Sequence, residues 1–167
     1  MAVEPRIGIN LGSLRTPTFI YFAMPLESYD VALDDTNTRF ANYMFFIGGG
    51  IFNRTLLTQT FGLESRVSFT TNVRHRYYVS DARASKRFDG SYRIEASFGI
   101  LRRGNAMAQE VPASQKGIFE TPDFYMNLKG IYYHMNPIDT PAFYYPTTHN
   151  FVLMLEIGIG LNRPFVL

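Results

Sequence analysis

The sequence predicts an all-β fold, an antiparallel β-sandwich of jelly-roll type with seven or eight strands in a single domain spanning 1–167. Period-two alternation of apolar and polar residues runs through most of the chain, the signature of half-buried strands. β-Branched and aromatic residues are abundant, with 15 Phe and 11 Tyr, as pleated surfaces favour. Helix start and stop signals are sparse.

The first alternating run is "RIGINLG", where Ile7, Ile9 and Leu11 alternate with Arg6, Gly8 and Asn10. "TFIYFAM" (18–24) follows, apolar on both faces, as a strand covered on two sides would be. "LDDTNTRFANYM" (33–44) has room for a helical turn or two after an Asp or Thr cap, although its spacing is poor. "YMFFIGGGIF" (43–52) is again apolar on both faces. From residue 63, one face carries Leu63, Ser65, Val67, Phe69, Thr71, Val73, His75, Tyr77 and Val79. The other carries Glu64, Arg66, Ser68, Thr70, Asn72, Arg74, Arg76 and Tyr78.

"SDARASKRFDGS" (80–91) reads as a hairpin tip, and the returning strand alternates Tyr92, Ile94, Ala96, Phe98 and Ile100 with Arg93, Glu95, Ser97 and Gly99. The segment 104–123 is a long connection punctuated by Pro and Gly. In "FYMNLKGIYYH", Phe124, Met126, Leu128 and Tyr132 face away from Tyr125, Asn127 and Lys129. A second long connection, 135–149, opens on Asn-Pro and carries three prolines. "NFVLMLEIGIGL" (150–161) is apolar on both faces and reads as a central strand.

Hydrophobic residues at 46% and charged residues at 18% exclude disorder and predict a packed core. The absence of cysteine excludes disulfides, a thiol nucleophile and a thiolate metal site. No apolar run reaches the ~18 residues of a membrane helix. "MAVEPRIGINLG" lacks the basic start and apolar run of a signal peptide, so the chain is either kept where it is made or has lost a leader.

An eight-stranded outer-membrane β-barrel is the alternative fold, since strands of about 9–11 residues with apolar rows suit one. Four observations weigh against it. Ile20, Phe22 and Met24 oppose Phe19, Tyr21 and Ala23, where a polar lumen is needed. Ser65, Thr71 and His75 would face lipid. The chain has no Trp, and Pro164 interrupts the tail "NRPFVL".

No catalytic constellation emerges, so the expectation is a non-enzyme with no catalytic residue, cofactor or metal. Gly48-Gly49-Gly50 lacks the Lys-Ser/Thr ending of a phosphate loop and reads as a bend or a close backbone approach. His75, His134 and His149 sit on separate segments without ligand spacing. Asp34-Asp35 lacks the alternating carboxylates of a calcium loop. Glu64 with Arg66, and Glu95 with Arg93, share faces on which cross-strand ion pairs would form. "NRT" (53–55) matches a glycosylation triplet without a secretory context.

Charge is distributed unevenly. Arg66, Arg74, Arg76, Arg83, Lys86, Arg87, Arg93, Arg102 and Arg103 give 66–103 a balance of +6, against +2 for the whole chain. If the strands around 80–91 pair, Arg66, Arg74, Arg76 and Arg93 join in one basic strip, with His75 turned away. These nine residues are the expected contact with another subunit or with nucleic acid. Arg outnumbers Lys by 13 to 3, which suits packed interfaces.

The functional expectation is a non-enzymatic structural subunit that self-assembles through apolar strand faces and the basic hairpin 63–103. A virion or phage capsid or tail component, found in the virion or in the cytoplasm of the producing cell, is its concrete form. Its partners would be copies of itself and other assembly subunits. A membrane enters only under the alternative, a small β-barrel protein of the bacterial outer membrane.

Overall fold

The computed structural model describes residues 2–13, 16–33, 38–58, 60–79, 82–102, 123–139 and 144–160. They are strands and turns, as the alternation predicts. The strands are β1 (Ala2–Val3), β2 (Arg6–Asn10), β3 (Thr18–Ala23), β4 (Leu26–Leu33), β5 (Thr38–Leu56), β6 (Phe61–Val79), β7 (Ala82–Arg87), β8 (Tyr92–Arg102), β9 (Asp123–Met135), β10 (Ile138–Asp139), β11 (Tyr144–Tyr145) and β12 (Thr148–Gly160). All but β10 and β11 belong to one antiparallel sheet, ordered β1-β4-β5-β6-β8-β9-β12, with β2 on β3, β3 on β5 and β7 on β6. The sheet curls strongly enough that Tyr29 and Phe40 share a cavity of about 440 Å³ with His149 and Val152 of the last strand.

Three local expectations change. Thr38–Met44 is strand, held on β6 and β4 by ladders that outweigh a weak helix cap. The hairpin tip is shorter than 80–91, because Ala82–Arg87 pairs back on Arg74–Val79. The connection after 135 contains the β10–β11 pair. Arg103, Asp34-Asp35, the tail 162–167 and nearly all of 104–123 lie outside the described residues.

A line of interruptions crosses the sheet. Arg6, Ala23, Gly48, Thr70 and Arg93 form one cross-strand row, and Val3, Leu26, Phe45, Arg74 and Arg87 form the next continuous one. Between them, Pro5 and Pro25 deprive the ladder of donors. Val73 is an extra residue that bulges β6, since Phe46 pairs with Asn72 but Phe45 with Arg74. Phe88 at φ 49° and Gly90 at φ 80° turn the chain between β7 and β8. Sheets bend and twist harder at such points. Past the line, β4–β7 project as an extension of the wall.

The glycine run lies beside this line. A Cβ on Gly48 would strike the Phe69 carbonyl, and one on Gly50 the Val67 carbonyl. The run is therefore a close backbone approach at a bend, as its sequence suggests.

In the extension His75 is fully buried and bridges Asn42, 2.6 Å from Nε2, and Asp89, 3.3 Å from Nδ1. Burial holds the imidazole below its ordinary value. Burial raises Asp89, but hydrogen bonds from His75 and Ser91 outweigh it and leave that carboxyl low. Both folded-state values lie below the unfolded ones, so this contribution is complete above the unfolded histidine value of 6.5 and is lost as pH falls. Thermal unfolding followed from pH 8 to 4 is expected to lose stability below about 6.5, and His75→Gln to flatten that slope. An unchanged slope would contradict the assignment.

Candidate functional site: a charged interior behind an apolar wall

The curled sheet is apolar outside and charged inside. On β12, Phe151, Leu153, Leu155, Ile157 and Ile159 point outward, and Ile157 is 73% exposed. β9 presents Phe124, Met126 and Leu128, and β8 presents Ile94, Phe98 and Ile100. β6 adds Val67 and Phe69, and Ile20, Phe22, Ile7 and Ile9 continue the surface on β3 and β2. Alternation thus predicts the strands correctly, but the covered face is the polar one. The last strand ends the sheet path and is not central, because its two apolar faces meet different surroundings.

At one border of this surface an aromatic diagonal crosses four strands. Tyr92 stacks on Phe69 (5.6 Å) and His134 (4.9 Å), Tyr132 lies 6.2 Å from Tyr92, and His149 lies 6.1 Å from Tyr132. The Tyr132 hydroxyl is 2.6 Å from His149 Nδ1.

The interior is built around Glu95, whose side chain is fully buried. It receives Arg93 at 2.5 Å, Arg6 at 3.1 Å, Lys129 at 3.3 Å and Arg66 at 3.7 Å. The network spreads from there. Arg93 reaches Glu4 (3.1 Å) and Glu27 (3.2 Å), and Arg6 also binds Glu4 (2.6 Å). Lys129 touches Glu156 (3.2 Å), and Arg54 binds Glu64 (2.5 Å). The Tyr133 hydroxyl donates to Glu27 at 2.9 Å. The carboxylates of Glu4, Glu27, Glu64, Glu95 and Glu156 therefore balance Arg6, Arg54, Arg66, Arg93 and Lys129 charge for charge.

This network lines a cavity of about 510 Å³, polar and roomy enough for water. Buried polar atoms such as Arg93 Nη1, Arg66 Nε and Asn127 Oδ1 lack a protein partner. Toward the extension, Met44, Phe46, Ile131, Tyr133 and Met135 form an apolar layer, with Met154 packed against it.

The expected basic strip is divided. Strict alternation would place Arg66, Arg74, Arg76 and Arg93 on one face, but the extra residue Val73 inverts the parity of β6. Arg66 and Arg93 point inward, to carboxylates. Arg74 and Arg76 point outward, and His75 and Tyr77 are buried behind them. Arg83, Lys86 and Arg87 lie on β7, and Arg102 is exposed at the far end of β8. The pairing of Glu95 with Arg93 holds, while Glu64 takes Arg54 as its partner.

Nothing in the alternation marks Glu4, Arg6, Glu27, Lys129 and Glu156 as members of one site. Their signal is an inward-facing charge on four different strands and, for Glu4, on the link between β1 and β2, which becomes visible only once register is known. Among the described residues no group of three His, Asp or Glu is placed to hold a metal ion, and no helix is long and apolar enough to cross a membrane. No protein family, curated protein or solved structure gives a match to this chain.

Glu95→Gln leaves four cations facing a neutral, fully buried amide. The expected loss is ~3–5 kcal/mol, as for other broken buried pairs, read from denaturant unfolding. Glu156→Gln, whose side chain is 32% exposed, is expected to lose ~1 kcal/mol or less. Equal losses would show that Glu95 does not hold the network.

Proposed function

We propose that this chain is a membrane-embedded β-barrel protein of the outer-membrane type, a non-enzymatic scaffold whose interior is sealed. The observation that carries this reading is the inverted partition, with a continuous apolar surface outside and compensated charge inside. In water such a surface would be an aggregation liability. In lipid it is the required one, with polar groups turned to the lumen. The Phe151–Ile159 row covers nine residues, within the ~9–11 that cross a bilayer at a tilt. The aromatic diagonal has the composition of an interfacial belt, with Tyr and His standing where Trp is absent.

Placement eases part of the sequence case against a barrel, although Ser65 keeps its outward parity opposite Phe98 and Pro164 lies outside the described residues. His75 faces inward because of the bulge, and Thr71 lies at the border of the apolar band. Tyr21, opposite outward Phe22, lies inside, 5.4 Å from the Arg6 guanidinium. The enclosed ion pairs and the apolar layer of Met44 and Phe46 make the lumen a plug, so the proposed protein is an anchor and not an open pore. The expected assembly subunit shares the exposed apolar faces, but an interior of ten compensated charges favours lipid over a neighbouring subunit.

The deciding experiment is purification with and without detergent. The expected protein is monodisperse in micelles, inserts into vesicles and gives no steady conductance across a planar bilayer. A particle soluble without detergent would sink the proposal and restore the assembly subunit. Leu155→Arg is expected to weaken folding in bilayers by ~2–4 kcal/mol. An effect within ~0.5 kcal/mol would mean that Leu155 faces water. Amide exchange offers an independent check, because in lipid no strand edge stays unpaired. Every β12 amide within the apolar band is expected to exchange slowly, and fast exchange at alternate residues would reveal an open edge.

A further inference from the structure

We propose that Arg74, Arg76, Arg83 and Arg87, on the outer face of the extension, bind the phosphate groups of an anionic lipid whose acyl chains lie on the apolar wall. This rests on the membrane reading above. Arg74 and Arg87 are direct cross-strand partners, as are Tyr78 and Arg83, so their side chains share a face. Like charges directly opposite each other repel and destabilise a ladder. An anion between them turns that repulsion into binding.

The contrast with the interior supports an external ligand. Each inward arginine has a carboxylate, whereas these four form no ion pair among the described residues. Arg74 Nε is buried without a hydrogen-bond partner. Guanidinium forks match phosphate oxygens bidentately. Arg83 lies 5.8 Å over the Tyr78 ring, which packs edge-on against Tyr43 at 5.6 Å, and both restrain the cluster.

Position selects a lipid over a free anion. Arg74 and Arg76 line a groove of about 420 Å³ whose other walls include Val3, Leu26, Tyr43 and Phe45. Ser28 and Glu27 also line the groove, but the Glu27 carboxylate is turned inward to Arg93, so the groove is apolar toward the wall and cationic along one side, which is the polarity of a phospholipid. The arginines follow directly after the apolar band on the same strand, where headgroup phosphates lie. Lys86 does not contribute, since its Nζ donates to the Pro137 carbonyl at 3.0 Å.

The test is native mass spectrometry of the protein released from phosphatidylcholine nanodiscs containing phosphatidic acid. The wild type is expected to retain phosphatidic acid preferentially. Arg74→Ser and Arg87→Ser should each lower that preference about fivefold, while Arg102→Ser leaves it unchanged. Arg76→Lys keeps the charge but loses the fork, and a reduced preference there supports bidentate binding even if a serine variant fails to fold. Insertion without lipid preference, or a preference indifferent to Arg74 and Arg87, overturns the site and leaves the membrane reading intact. A detergent-free soluble protein overturns both. Retention of an added oligonucleotide by the same arginines in place of phosphatidic acid assigns the cluster to nucleic acid.

Discussion

The Glu95 carboxylate is the constraint on which this structure depends. A fully buried carboxylate is tolerated only when partners replace its hydration, and here four cations from three strands and the N-terminal segment do so. Arg6 comes from β2, Arg66 from β6, Arg93 from its own strand and Lys129 from β9. Those strands can meet only if the sheet curls until β2 approaches β8 across the interior. The ion pairs therefore specify curvature as well as neutrality. Such networks are weak evidence for stability, but they discriminate between arrangements, because any other register strands charges without partners.

Curvature has a second source in the line that runs through Pro5, Pro25, Val73 and Phe88–Gly90. Each device is local and costs the ladder a bond or a residue. Aligned across adjacent strands, they let the wall change direction without breaking pairing on either side. The same line separates two outer surfaces. Before it the outward rows are aliphatic and aromatic, and beyond it they carry Arg74, Arg76, Arg83 and Arg87. One extra residue, Val73, thus turns Arg74 and Arg76 outward while Arg66, before it on the same strand, faces the interior.

The sequence made the strands readable because alternation depends only on the pleat. Ile94, Ala96, Phe98 and Ile100 were correctly set against Arg93, Glu95, Ser97 and Gly99. Alternation carries no sign, however, and does not say which set is covered. The alternation joins Arg66 and Arg93 to an outer contact strip, while the fold encloses both. The bulge was hidden for a different reason. Both Arg74 and His75 are plausible on either face of β6, so the parity change at Val73 leaves no mark in composition. Gly48–Gly50 was readable because only close backbone approach explains three glycines in an otherwise bulky strand. The members of the charge network were not, since Glu27 and Glu156 lie about 130 residues apart in the chain and come to line one cavity only through register.

The inverted partition also explains the composition. A chain with 46% hydrophobic residues would ordinarily bury them, yet the buried set here includes Glu27, Glu64, Arg93, Glu95 and Lys129. Aromatic and aliphatic side chains are instead spent on the convex surface, which is larger than the concave one and so needs more of them. A sheet whose larger face is apolar reaches its lowest free energy where that face meets hydrocarbon. Hydrocarbon also forbids unpaired backbone, so under the proposed membrane reading β12, at one end of the sheet path, and β2, at the end of the branch through β3, would be driven toward each other or toward a second copy's edge. Under that proposed reading, curling by Glu95 and closure by lipid act in the same direction.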